Sequence, residues 1–98
     1  MRIEIIDAAE RDIEDGYNFY ERQSPGLGFY FLDSIYSDID SLIYFGGIHI
    51  EIYGYHRLLS KRFPFSVYYK IDEDIVKIFA VLDNRRNPSW IRKRLTTN

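Results

Sequence analysis

There is no cysteine in this 98-residue chain. That excludes a disulfide scaffold and any thiolate metal site, and it fits a reducing compartment, so a cytoplasmic protein is expected. Histidine occurs only at positions 49 and 56, and neither has carboxylates near it at metal-ligand spacing. No metal and no cofactor are therefore expected. No apolar run approaches the roughly 20 residues that a membrane helix needs. The first ten residues carry Glu4, Asp7 and Glu10 where a secretory leader has an apolar centre, so neither membrane nor export is expected. Ser24, Ser34, Ser60 and Ser66 lack the strand–turn–helix setting of a nucleophile elbow. Gly46-Gly47 does not open a helix and reads as a turn rather than a phosphate loop.

What is present is apolar and aromatic. Hydrophobic residues make up 46% of the chain, with nine tyrosines, which is the composition of a folded chain of one domain, residues 1–98. A net charge of −2 conceals an asymmetry. Residues 1–55 hold eleven acids and three bases, whereas residues 56–98 hold four acids and ten bases. The C-terminal half is thereby suited to an anionic partner.

Taken in order, Arg2–Ile6 alternates as a short strand, with Ile3 and Ile5 on one face. Asp7 is placed to cap the following helix, with Glu10 as its capping-box partner. That helix is expected from about Ala8 to Glu21, with Ala9, Ile13, Tyr17 and Tyr20 as its apolar stripe. Gly16 weakens it by about 1 kcal/mol relative to alanine, unless a neighbouring backbone needs the space. Gln23-Ser24-Pro25-Gly26 breaks the chain. A second helix follows from about Leu27 to Ile43, burying Phe31 or Leu32, Ile35, Ile39 and Leu42. Its polar face is Asp33, Ser37, Asp38, Asp40 and Ser41. The short connection implies an αα-hairpin lying on a sheet.

Ile48–Tyr53 alternates between glycines and reads as a strand or a partly paired connection. Arg57–Phe63 alternates as a strand that Phe63-Pro64 ends, because proline has no N–H for the ladder. Phe65–Ile71 and Ile75–Leu82 are two further strands around the polar turn Asp72-Glu73-Asp74. Tyr68 and Tyr69 are adjacent and point to opposite faces, so at most one is expected to be buried. Ile75–Leu82, apolar apart from Lys77, reads as an internal strand. Asp83–Pro88 is a turn holding Arg85 and Arg86, and Pro88 suits the first turn of a helix over Ser89–Leu95. The fold class is α+β: an N-terminal strand, a helical hairpin packed on a mostly antiparallel sheet of about four strands, and a short C-terminal helix.

Four stretches, in this order and spacing, carry a resemblance. They are Gln23-Ser24-Pro25-Gly26-Leu27-Gly28 with Phe31-Leu32, then Arg57, then Lys61-Arg62-Phe63-Pro64-Phe65 with Val67-Tyr68-Tyr69, then Val81-Leu82 with Arg85-Arg86-Asn87-Pro88 and Trp90. Together they resemble the RelE/ParE superfamily of bacterial toxins from type II toxin–antitoxin pairs, also called plasmid-stabilisation proteins. The resemblance implies the element order above and a cognate antitoxin that wraps and neutralises the chain. RelE-like members are metal-independent endoribonucleases that cut mRNA on the ribosome; ParE-like members inhibit growth by acting on DNA gyrase. Arg85 falls where a catalytic arginine of the RelE-like pattern sits. The strand arginine of that pattern falls at Ser66, its C-terminal tyrosine near Trp90 or Ile91, and the histidine of many relatives at Asp83. Arg62-Phe63-Pro64-Phe65 and Pro88-Ser89-Trp90 are closer to ParE. The resemblance therefore implies gyrase as target. A ribosome-dependent ribonuclease, or a non-toxic member that only binds its antitoxin, are the alternatives.

The residues expected to contact target or antitoxin are Arg57, Lys61, Arg62, Arg85, Arg86, Trp90 and Arg92, with Arg85 catalytic if the chain is a ribonuclease. Arg57, Lys61 and Arg62 would share one strand, Arg57 and Lys61 on the same face, as an anion-binding strip or as solvated edge charges. Arg85 and Arg86 repel one another in a tight turn, so either a ligand or an acid such as Asp83 is needed beside them. Trp90 either stacks on a partner or anchors the last helix. Arg92-Lys93-Arg94 reads as a basic, largely solvated tail.

Overall fold

The chain begins with β1 (Arg2–Ile5), which runs parallel to β5 (Ile75–Asp83). In the computed structural model, which describes residues 1–97, the remaining elements are α1 (Asp7–Gln23), α2 (Leu27–Asp40), α3 (Leu42–Phe45), β2 (Glu51–Ile52), β3 (Tyr55–Leu59), β4 (Phe65–Asp72) and α4 (Pro88–Thr96). The sheet has five strands in the order β1-β5-β4-β3-β2, one more than expected, with every pairing after β1–β5 antiparallel. The α1–α2 hairpin covers one face, where Ile13, Phe31, Ile35 and Ile39 meet Val67, Tyr69, Val76 and Ile78. None of the helices among the described residues is long and apolar enough to cross a membrane.

Local chemistry accounts for the departures from the sequence reading. Asp7 does not cap α1: Ile6 is the N-cap and no side chain caps the end. The Ile6 N–H still bonds to the Ile78 carbonyl while its own carbonyl accepts from the Glu10 N–H, so the chain passes directly from ladder into helix. Asp7 and Glu10 sit in the first turn, where the helix dipole favours them. The second helix stops at Asp40, because the Ser41 hydroxyl donates to the Asp38 carbonyl and competes with the helical ladder. Asp38 is buried, not on a wet face, since α2 covers a wider surface than its apolar stripe.

β3 is Tyr55–Leu59 rather than Arg57–Phe63. After Leu59 the chain leaves the ladder: the Phe65 N–H bonds back to the Phe63 carbonyl across Pro64. Lys61 and Arg62 therefore lie on a loop, not on Arg57's strand. The Ile48–Tyr53 segment pairs only at Glu51–Ile52, then turns at Tyr53 and Gly54, both with positive φ (54° and 84°).

Tyr68 and Tyr69 are both buried, contrary to expectation. Tyr69 enters the core under the hairpin. Tyr68 joins Tyr55, Ala80, Leu82 and Leu95 in a second cluster on the other face, beneath α4. Tyr68 pairs with Ala80 and Tyr69 with Ile78, so Phe79 is an extra residue in β5. This bulge flips the alternation of β5, which puts Val76, Ile78 and Val81 on one face and Ala80 and Leu82 on the other.

Candidate partner-binding end of the sheet

The end of β5 and the start of α4 form a rigid corner. Asp83 accepts from the Arg85 backbone N–H (2.8 Å), from Arg85 Nε (3.0 Å) and, at its other oxygen, from Arg85 Nη2 (2.8 Å). Asn87 caps α4 by accepting from the Ser89 N–H (2.8 Å), and Pro88 fills the first turn. The Asn84 N–H donates to the Pro64 carbonyl (2.7 Å), and the Ser66 hydroxyl donates to Asn84 Oδ1. These bonds tie the Ser60–Pro64 loop to the Asp83–Asn87 turn.

Arg86 lies over Trp90, its guanidinium carbon 4.1 Å from the ring centroid. Trp90 is 38% exposed, so it does not anchor α4; Leu95 and Ile91 do. On the loop side, Arg62 sits 5.9 Å from the Tyr30 ring, and Phe63 packs on Tyr20 and Tyr30. Lys61, Arg62, Arg85, Arg86 and Trp90 are thus brought to one end of the sheet. Arg92 is exposed farther along α4, beside a shallow recess with Trp90 and Lys93. Arg57 stands apart, opposite Tyr68 in the ladder, with Nε buried and unpartnered.

Between this corner and α1 is a cleft of about 510 Å³ whose walls include Phe19, Arg22, Arg86 and Trp90. One side is closed by an ion pair that the sequence reading missed. Arg94 donates from both terminal nitrogens to Asp12 (2.9 Å each), and the Val81 N–H donates to the same carboxylate (3.0 Å). The basic tail is therefore tied down at its third residue. Burial raises the Asp12 pKa more than Arg94 and the Val81 N–H lower it. The only signal in the sequence was an acid on α1 directly beside the buried Ile13.

The hydrogen bonds from Arg85 hold the Asp83 carboxyl below its usual range, and Asp83 in turn raises the Arg85 pKa. Burial raises the Tyr20 phenol, with Arg85 nearby pulling it down. Ser66, where the RelE-like pattern has an arginine, is fully buried. The two histidines lie elsewhere: His49 Nδ1 meets the Tyr69 hydroxyl, and His56 stacks on the Tyr69 ring. No group of three or more His, Cys, Asp or Glu comes together among the described residues to hold a metal.

The chain matches no protein-family model and no curated protein. Among solved structures it is similar to a chain of the chromosomal ParDE TA system from P. aeruginosa, with a TM-score of 0.73 over 83% of this chain and 92% of that one. The fold is ParDE-like. Sequence identity across the match is 20%, so the likeness is one of architecture, and it agrees with the element order that the RelE/ParE resemblance implied.

Proposed function

We propose that the chain is a cytoplasmic, ParE-like toxin of a type II toxin–antitoxin pair, which inhibits growth by binding DNA gyrase and is neutralised by a cognate antitoxin. The observation that carries this reading is the ParDE-like fold across most of both chains, reached independently of the four sequence stretches that resemble the superfamily.

The Arg85–Trp90 corner is the surface that would meet the target. Arginine and tryptophan supply much of the energy of protein interfaces when they are held rigid and become desolvated. Here Asp83 fixes Arg85, and Arg86 lies against Trp90 before any partner arrives, so little side-chain entropy remains to be lost on docking. Phosphodiester cleavage asks for something else: cations free to meet the extra charge of a phosphorane, with an acid and a base beside them. Arg85 is already committed to a carboxylate, and the Ser66 position carries no cation. Binding is therefore preferred over ribonuclease chemistry.

The test is induced expression in bacteria, with plasmid supercoiling and transcript ends mapped in parallel. Arrested growth and lost supercoiling with intact messages support the proposal. Codon-phased cuts in messages that vanish with Arg85→Ala would replace it with the ribonuclease reading. Normal growth with neither effect would leave a chain that only binds an antitoxin.

A further inference from the structure

α4 covers the sheet face opposite the hairpin only in part. Leu95 and Ile91 pack there with Tyr55, Tyr68, Ala80 and Leu82. Strand alternation brings three cations to the same face. Arg57 follows Tyr55 by two residues and Lys70 follows Tyr68 by two, while Lys77 lies between Val76 and Ile78, which both face the hairpin. The ladder register sets their spacing. Lys70 is directly opposite Lys77, with Cα atoms about 5 Å apart. Arg57 is opposite Tyr68, one diagonal step of about 7–8 Å from Lys70.

Like charges directly opposite one another destabilise a ladder, and nothing in the chain relieves these. No carboxylate among the described residues lies within ion-pair distance of Arg57, Lys70 or Lys77. Glu4 is the cross-strand neighbour of Lys77, but it pairs with Arg2 at 3.4 Å. Lys70 Nζ sits 4.6 Å from the Tyr55 ring centroid and 5.6 Å from that of Phe79, which holds the ammonium against the sheet. Arg57 is half-buried, and its Nε is buried without a hydrogen-bond partner. A guanidinium so placed is short of acceptors, a cost that an anion brought from outside offsets.

We propose that Arg57, Lys70 and Lys77 bind a compact oligophosphate, a chain of two or three phosphate groups, either free or as the tail of a nucleotide. Three neighbouring cations call for an anion of several charges, and a single carboxylate leaves two of them unmatched. Nucleic acid fits less well. Single strands need bare aromatic faces for their bases, and Lys70 already covers Tyr55 and Phe79. The exposed Glu4 and Asp72 flank the lysines on β1 and β4 and repel an extended backbone of phosphates. The site is separate from the Arg85–Trp90 corner, because Lys77 is six residues before Asp83 on β5, about 20 Å along the strand. The inference rests on this face alone and holds whether or not the chain is a toxin.

The experiment is an NMR titration of the ¹⁵N-labelled chain, at constant ionic strength, with tripolyphosphate, with ATP and with a short single-stranded DNA. Tripolyphosphate should shift the amides around Arg57, Lys70 and Lys77 saturably. Lys70→Gln/Lys77→Gln should weaken that binding by about tenfold, with circular dichroism matching the parent's. Arg57→Gln should weaken it by a smaller factor, and Arg11→Gln, which removes an exposed charge from α1, should not. Tripolyphosphate should also raise the melting temperature of the parent but not of the double-lysine variant. Equal affinity for tripolyphosphate and ATP supports the proposal with the phosphate chain alone as ligand; tighter ATP binding with additional shifts supports it with a nucleotide. No saturable shift, shifts centred on the Arg85–Trp90 corner, lysine variants that bind as the parent does, or DNA bound more tightly than tripolyphosphate would overturn it.

Discussion

Gly16→Ala sets two known effects against each other. Gly16 is in the middle of α1, where alanine is favoured by about 1 kcal/mol. Yet a Cβ built there lies 2.4 Å from Phe31 Cζ and 2.6 Å from Cε2. Ordinary contact would put them about an ångström or more farther apart, at about 3.5–4.0 Å. The ring has little room to retreat. Phe31 is fully buried, with its centroid 5.3 Å from Tyr20, 5.2 Å from Phe63 and 4.9 Å from Phe65. Overpacking a close-packed core costs about 1–3 kcal/mol, and the upper end applies where three neighbouring rings must shift together. Net of the helix gain, Gly16→Ala should destabilise the chain by about 1–2 kcal/mol, lowering the melting temperature by roughly 5–15 °C. Urea unfolding followed by circular dichroism measures this, with an unchanged m-value as evidence that the denatured state is unaffected. Phe31→Leu removes the distal ring atoms that obstruct the new methyl. The Gly16→Ala/Phe31→Leu pair should therefore lose less stability than the two single changes summed. A Gly16→Ala chain at least as stable as the parent would refute the reasoning, because propensity would then outweigh packing.

Three further outcomes follow from the same structure. Arg94→Ala leaves the largely buried Asp12 with only the Val81 N–H and should cost about 2 kcal/mol in urea unfolding, less than the 3–5 kcal/mol typical of a fully buried pair; adding Asp12→Asn should recover part of it. Arg86→Ala and Trp90→Ala alter exposed groups and should leave stability within about 0.5 kcal/mol, while relieving growth inhibition in an expression assay. Burial, then the neighbouring His56, lowers the His49 pKa, so the unfolded chain takes up that proton first. Stability from this source is complete above about pH 6.5 and declines as pH falls through the lowered folded value; His49→Phe should flatten that part of the melting-temperature profile.

The elements that could be read from the sequence are those fixed by local pattern. The helical hairpin follows from apolar spacing around the Ser24-Pro25-Gly26 break, and β4 and β5 follow from their dense β-branched and aromatic runs. The misreadings arise where distant chain segments decide. Arg57–Phe63 alternates in sequence, but the Ser60–Pro64 loop is held by Asn84, just past the end of β5. Tyr68 and Tyr69 are both buried because Leu95 of α4 returns to cover the second face, and alternation alone cannot announce that cover. The candidate site divides the same way. Arg86 and Trp90 are four residues apart at the start of a helix, and their stacking was within reach of the sequence. Asp12 and Arg94 are 82 residues apart; no local pattern distinguishes that buried pair from a solvated acid and a basic tail. Arg57 alternates correctly on its strand, but nothing in its neighbourhood said that it would sit away from the other cations.

The most direct measurement of the central claim is a supercoiling assay with purified gyrase, relaxed plasmid and this chain. The account predicts that the chain blocks supercoiling, that Arg86→Ala/Trp90→Ala relieves the block, and that the folded content of that variant matches the parent's by circular dichroism. Gyrase that supercoils normally at every concentration of folded chain would contradict it.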